Sequence, residues 1–324
     1  MCTAFTLQNE SLYFGRNMDI EYSFKERVVI TPREFVISTK CMGNLNEHYA
    51  IIGMANVTDN YPLYAEAVNE NGLCMAGLNF PENAKYISEE KSSKKMLTPY
   101  ELILYTLGSC KNLSEAKNLL KDIDIVNIPF IPSLSLAPLH WIVSDKSGSI
   151  TVEYTKTGMN IYDNPYGVLT NNPPFEFHCE NVRQYIHLSA GYAQNKFSDS
   201  LELIPFCQGA AAFGLPGDYS SASRFIKTLF CKMNSVCENN EESYVSQVFH
   251  ILDSVAMIQG TVITSEEKED ITRYSCCINA SEGIYYYKTY WNNQITKITL
   301  TEKRKQESDL ILFELNTKQQ FIVE

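Results

Sequence analysis

The sequence predicts an α+β fold in which two antiparallel sheets are layered against helices. Three observations lead there. Strand-like and helix-like stretches come in blocks (strands, two helices, strands, two or more helices, strands) rather than in the strict alternation of a parallel α/β protein. The Asn71-Gly72 pair between residues 65–70 and 73–79 is a strong short-range hairpin signal. The apolar runs 139–144, 150–154 and 159–162 are separated only by the turns Lys146-Ser147-Gly148 and Lys156-Thr157-Gly158, which makes an antiparallel meander.

The remaining elements follow in order. Residues 2–7 and 12–18 alternate around Gln8-Asn9-Glu10-Ser11 and read as a first hairpin. Residues 26–31 form a strand that Pro32 ends, 48–54 form another, and Asp59-Asn60-Tyr61-Pro62 marks a turn. After the polar stretch 82–95, Thr98-Pro99 supplies an N-cap and a first-position proline for a helix over 100–107. A second short helix spans 112–120, with Ser114 as its candidate cap. Pro129, Pro132 and Pro138 keep the apolar segment 127–138 out of regular structure, and a greasy loop of this kind suits the wall of a pocket.

A strand at 168–170 leads to Asn171, and Pro173-Pro174 precedes a helix over 175–188. The mixed stretch 189–217 is too long to be an idle loop in a compact domain. Helices capped by Ser220 or Ser221 (to about 234) and over 244–257 follow, then strands at 271–279, 283–290 and 294–300. No repeat or low-complexity tract interrupts this order.

The chain of 324 residues, 44% of them hydrophobic, can bury a large core and is read as one domain over 1–324. Its net charge of −11 argues against a nucleic-acid partner, since phosphate binding needs clustered cations. Neither a signal segment nor a membrane span is legible, so a cytoplasmic location and no membrane partner are expected. The 10 cysteines are scattered, and most are read as reduced core residues.

The sharpest chemistry lies at Cys2. Once Met1 is removed, which a small second residue permits, Cys2 carries a thiol and a free α-amine on adjacent atoms, a nucleophile and a base together. The first hairpin folds Arg16 and Asp19 back toward it. Arg16 would favour the thiolate and Asp19 would accept hydrogen bonds from the α-amine. On the residues alone, a buried edge-strand cysteine and a solvated ion pair remain the plainer reading. Asn79 and Asn171 are plain turn formers by the same standard. Arg224, in the first turns of a helix, is oddly placed for a cation unless it faces a carboxylate or an oxyanion. His140 and His250 read as satisfied core histidines. No C-x-x-C or H-x-x-x-H pattern suggests a metal, and no phosphate-binding or dinucleotide motif is present, so no cofactor is expected.

Five separated blocks change this balance. Met1-Cys2-Thr3 with Tyr13-Phe14-Gly15-Arg16-Asn17-Met18-Asp19, Gly77-Leu78-Asn79-Phe80-Pro81, Gly167-Val168-Leu169-Thr170-Asn171-Asn172-Pro173, Gly214-Leu215-Pro216-Gly217-Asp218 and Ser223-Arg224-Phe225 occur in this order. In them the chain resembles the choloylglycine hydrolase family, the conjugated bile acid hydrolases and penicillin V acylases. The resemblance implies the N-terminal-nucleophile αββα four-layer sandwich, with Cys2, Arg16, Asp19, Asn79, Asn171 and Arg224 as the catalytic set. Asn79 and Asn171 would hold the oxyanion. It implies glycine- or taurine-conjugated bile acids as substrates, cleaved through a Cys2 thioester without a cofactor, and a homotetramer assembled partly through 189–217. Met18, Ile20, Phe130 and Leu134 are expected on the steroid-facing walls, an inference from greasy segments rather than from a motif. Penicillin V acylase activity is the alternative, and a non-catalytic binding protein of the same fold the more distant one. Asn79, where many penicillin acylases carry tyrosine, favours the bile acid reading.

Overall fold

The computed structural model describes residues 1–132 and 135–324. The first hairpin is β1 (Cys2–Gln8) and β2 (Leu12–Ile20), whose register sets Cys2 opposite Met18 and Ala4 opposite Arg16. Next come β3 (Arg27–Thr31), a small ribbon of β4 (Ile37–Thr39) and β5 (Gly43–Leu45), and the meander β6 (Ile51–Thr58), β7 (Tyr61–Asn69) and β8 (Cys74–Asn79). The β6–β7 turn is Asp59-Asn60, both with positive φ, the backbone that a two-residue hairpin needs. The strand then runs straight through Tyr61 and Pro62, which the sequence had assigned to the turn. Pro62 is accommodated because it faces Val57 near the tip, beyond the last paired residues of β8.

The parallel pair β9 (Lys95–Leu97) and β10 (Ile123–Ile125) brackets α1 (Leu102–Ser109) and α2 (Leu113–Lys121). Capping differs from expectation at both helices. The backbone N–H of Thr98 donates to the Glu101 carboxylate at 2.8 Å, while the Thr98 hydroxyl is buried without a partner among the described residues. At α2 the cap is Asn112, whose side-chain oxygen accepts from Glu115 N–H at 3.0 Å, rather than Ser114.

The second meander is β11 (Leu139–Asp145), β12 (Gly148–Thr155) and β13 (Gly158–Asp163), as the turn residues predict. Short β14 (Val168–Leu169) pairs with β1 and delivers the chain to Asn171. The helix after it is shorter than its pattern suggests: α3 (Phe175–Val182) passes into a 3₁₀ turn. Then come α4 (Ser221–Met233), capped by Ser220, and α5 (Glu241–Asp253), capped by Asn240 and so displaced toward the N-terminus. The chain finishes with β15 (Ile271–Asn279), β16 (Ile284–Thr289), β17 (Asn292–Thr299), α6 (Glu302–Lys305) and β18 (Ile311–Phe313). The last strand, too short to show alternation, closes the edge of a sheet against β3.

Two large sheets result. One has the order β14-β1-β2-β15-β16-β17 and the other β13-β12-β11-β8-β7-β6-β3-β18, every pairing within them antiparallel. Their facing residues, among them Phe14, Ile30, Ile52, Val68, Ala76 and Ile142, share a core. The outer face of the eight-stranded sheet is covered by α1 and α2, that of the six-stranded sheet by α4 and α5. This is the α+β four-layer sandwich expected. Gly15 lets α5 lie close on β2, because a Cβ there would meet Val248 at 2.8 Å and Phe5 at 2.9 Å. No described helix is long and apolar enough to cross a membrane.

All ten cysteines are free. Cys2, Cys74, Cys110, Cys276 and Cys277 are buried, whereas Cys41, Cys179, Cys231 and Cys237 are only partly buried and Cys207 is exposed, so fewer are core residues than composition suggests. Phe5, fully buried beneath α5, is a test of this layer: Phe5→Ala should lower the unfolding free energy by about 3–5 kcal/mol, measured by denaturant titration.

Candidate active site

Cys2 begins β1 at the end of the sandwich and is 4% exposed. Residues two apart on a strand share a face, so β2 sends Arg16 to the same side as its neighbour Met18, the partner of Cys2. Arg16 Nη2 lies 3.3 Å from Cys2 Sγ and donates to the Gly77 carbonyl at 2.9 Å. Its Nη1 makes an ion pair with Glu66 on β7. Both charges are buried, at 1% and 0% exposure, so neither side chain could sit here without the other. Burial works against the guanidinium, but Tyr274, Cys2 and Glu66 outweigh it and hold Arg16 well above its ordinary pKa.

Arg224 projects from the first turn of α4 and is equally buried. It donates to the Cys2 carbonyl at 2.5 Å, to the Thr3 hydroxyl at 2.6 Å, to Asn171 Oδ1 at 2.8 Å and, through Nε, to the Tyr219 carbonyl at 3.0 Å. Burial lowers its pKa, with Asp19, Cys2 and Asp270 pulling the other way, and a guanidinium so placed stays charged. Its Nη1 is 3.9 Å from Asp19 Oδ2. This answers the oddity of a cation near a helix N-terminus, because the side chain leaves the helix for a buried carboxylate.

Asn171 is the hub between these groups. Its side-chain oxygen accepts from Cys2 N–H at 2.8 Å and from Arg224, and its amide nitrogen donates to the Asn79 carbonyl at 2.7 Å. The loop is fixed from every side. His140 Nε2 lies 2.9 Å from the Thr170 carbonyl and His178 Nε2 3.1 Å from that of Asn171, and Ser221 Oγ accepts from Asn171 N–H at 2.8 Å. Asn79 ends β8 with an exposed side chain that makes no hydrogen bond to a described residue, so its amide is the accessible one.

Asp19 Oδ1 accepts from Thr272 at 2.6 Å, while Oδ2 is buried without a hydrogen-bond partner among the described residues. Met1 lies alongside: its carbonyl accepts from Asp19 N–H at 2.9 Å, and its ammonium reaches the Asp19 carbonyl at 2.5 Å and Asp270 Oδ2 at 3.3 Å.

The structure thus gathers Cys2, Arg16, Asp19, Asn171 and Arg224 into one cluster, with Asn79 at its rim. Met18 joins them, its sulfur 3.9 Å from Cys2 Sγ. Ile20 sits partly buried at the far end of β2, opposite Ile271. Phe130 packs elsewhere, its ring 5.7 Å from Tyr61 and 5.4 Å from Tyr100, with Lys40 over its face. Leu134 lies outside the described residues. Glu66, Tyr274, Tyr285, Thr3 and Asp270 were not found from the sequence. The one available signal was an acid inside the apolar run Tyr64-Ala65-Glu66-Ala67-Val68. His140 is a satisfied core residue as expected, paired with Glu153 at 3.2 Å and stacked on Phe80, whereas His250 is exposed.

A cysteine at the head of the first strand, between two antiparallel sheets flanked by helices, is the arrangement of the N-terminal-nucleophile hydrolases. Comparison narrows the class. The model of the linear amide C–N hydrolases, choloylglycine hydrolase family, matches residues 2–313, and the chain belongs to this family. It is 44% identical to the bile salt hydrolase/transferase of Lactiplantibacillus plantarum over 99% of both chains. With that of Clostridium perfringens it shares 39% identity over 98% of this chain and 97% of the relative. The crystal structure of the C2A mutant conjugated bile acid hydrolase from C. perfringens superposes with a TM-score of 0.92 at 38% identity, covering 100% and 99% of the two chains. A penicillin V acylase from Agrobacterium tumefaciens shares the fold, with a TM-score of 0.76 at 19% identity over 98% of this chain and 92% of its own.

The start of α4 makes a testable contribution. Hydrogen bonds from Ser220 and Ser223 hold the Asp218 carboxyl down at about 2. Because the native value is the lower one, the stabilisation is complete above the ordinary carboxylate pKa of ~4 and is lost as the pH falls through about 2. Asp218→Asn should remove this acid dependence and lower stability at neutral pH by roughly 1 kcal/mol, read from melts across the acid range.

Proposed function

We propose that this enzyme hydrolyses the amide bond of glycine- or taurine-conjugated bile acids, releasing the free bile acid and the amino acid. The observation that carries the reading is the buried Arg16 guanidinium 3.3 Å from Cys2 Sγ, in a chain 44% identical to a bile salt hydrolase/transferase. Removal of Met1 exposes the Cys2 α-amine, whose nitrogen is already oriented by Asn171 Oδ1. The Cys2 thiolate attacks the carbonyl carbon of the scissile amide and the C–N bond breaks. The α-amine passes a proton to the leaving amine and then activates water to hydrolyse the thioester. The Asn79 amide, accessible at the rim, and the second N–H of Asn171 stabilise the oxyanion. Arg224 fixes Cys2, Thr3 and Asn171 relative to one another. Met18 and Ile20 serve as apolar walls, whereas Phe130, packed against Tyr61 and Tyr100, is not one of them.

The experiment is release of glycine and taurine from glycocholate and taurocholate, run beside penicillin V, on protein whose mass shows Met1 to be absent. Rapid cleavage of the bile conjugates and slow cleavage of penicillin V is expected. The reverse preference would establish the acylase reading instead. Cys2→Ala should abolish turnover, a loss of roughly 10³-fold or more, while leaving the fold intact.

The same reading includes a homotetramer. The excursion over 189–217 and its approach leave Ile186, Phe197, Phe206 and Phe213 between 83% and 94% exposed, an apolar surface that a monomer would not hold in water. Sedimentation should give a tetramer for the native chain, and Phe206→Asp should shift it toward smaller species.

A further inference from the structure

Arg16 faces Cys2 with only part of its guanidinium. The rest is held by a buried cluster drawn from both sheets. Glu66, fully buried on β7, carries the ion pair to Arg16 Nη1 on one oxygen, which also accepts from the Tyr274 hydroxyl at 2.9 Å. Its other oxygen accepts from the Tyr285 hydroxyl at 2.5 Å and lies 3.6 Å from Cys276 Sγ. Burial pushes both phenols well above their ordinary pKa, with Glu66 adding to the effect, so each remains a donor. No solvent reaches the cluster, because Arg16, Glu66, Tyr274, Tyr285 and Cys276 are all at most 1% exposed.

We propose that Glu66 is a positioning residue for the thiol. It fixes Arg16 against Cys2 Sγ and shares the guanidinium charge with it, and Tyr274 and Tyr285 set how strongly Glu66 draws on that charge. The inference rests on Cys2 being the nucleophile. Arg16 is a single cation between two anions, the Glu66 carboxylate and the Cys2 thiolate. In a region without water, whatever weakens its hold on one strengthens its hold on the other. The other groups around Cys2 belong to different elements: Asp19 on β2, Arg224 on α4 and Asp270 just before β15. None of them touches Glu66, so a change at Glu66 reaches Cys2 through Arg16.

Two variants test this, read by the pH dependence of iodoacetamide alkylation mapped to Cys2 by peptide mass on protein lacking Met1. Glu66→Gln keeps the volume and a hydrogen-bonding oxygen but removes the charge. The buried guanidinium is then left with Cys2 as its only anionic partner, and the alkylation midpoint should fall by about one pH unit or more. Tyr285→Phe removes a donor from the carboxylate, which then draws Arg16 more strongly, and the midpoint should rise by a smaller amount. Both variants should lower kcat on glycocholate with KM little changed. Movement of the two midpoints in opposite directions is the signature of shared charge, which a merely structural cluster would not produce. An unmoved midpoint in Tyr285→Phe, or movement of both in the same direction, overturns the proposal. Should Glu66→Gln not fold, Tyr285→Phe decides alone. Failure of the native enzyme to cleave bile conjugates would count against the substrate reading and leave the alkylation result standing.

Discussion

The interaction on which the rest depends is the ion pair between Arg16 and Glu66. Arg16 belongs to the six-stranded sheet, and Glu66 and the Gly77 carbonyl belong to the eight-stranded one. Tyr274 and Tyr285 return from the first sheet to complete the carboxylate. The inter-sheet space around the pair is largely apolar, so a charge placed there must be compensated or expelled. Removing either partner would strand the other, at a general cost of about 3–5 kcal/mol. The pair therefore does more than hold a side chain: it fixes how the two sheets meet at the end where Cys2 emerges.

A second constraint acts from the helical side. Arg224 binds the Cys2 carbonyl, the Thr3 hydroxyl and Asn171 at once, so the first residues of β1 and the loop after β14 cannot move independently of α4. The loop has its own supports in His140, His178 and Ser221. His140 is in turn paired with Glu153, which also accepts from Phe175 N–H at 2.9 Å and so ties the loop to the start of α3. A site held by so many hydrogen bonds is pre-organised, and groups fixed in this way need little reorganisation when a ligand arrives.

The chain departs from local rules where this rigidity is built. A cation sits near a helix N-terminus, an acid sits inside an apolar strand, and Asp19 and Asp270 each keep a buried oxygen without a partner among the described residues. Each departure carries a cost in isolation. Together they surround the one nucleophile at the head of β1, which is where such conflicts are expected to collect.

What the sequence determined by itself is mostly local. Alternation and turn chemistry fixed the first hairpin, the Asn71-Gly72 hairpin and the 139–163 meander, and with the hairpin came the placement of Arg16 on the same side as Cys2. The five ordered blocks pointed to Cys2, Arg16, Asp19, Asn79, Asn171 and Arg224, and the structure gathers Arg16, Asp19, Asn171 and Arg224 around Cys2 with Asn79 at the rim. Helix ends were legible at Ser220, which caps α4, and less so elsewhere. Ser114 lost to Asn112, and the Thr98 hydroxyl has no hydrogen-bond partner among the described residues, because an oxygen caps only if the incoming chain aims it at a free N–H. Tertiary structure alone decided the partners. Glu66 is 50 residues from Arg16, and Cys2 is 222 from Arg224. A buried charge demands a counter-charge, but nothing in its neighbouring residues says which strand of the opposite sheet will supply it.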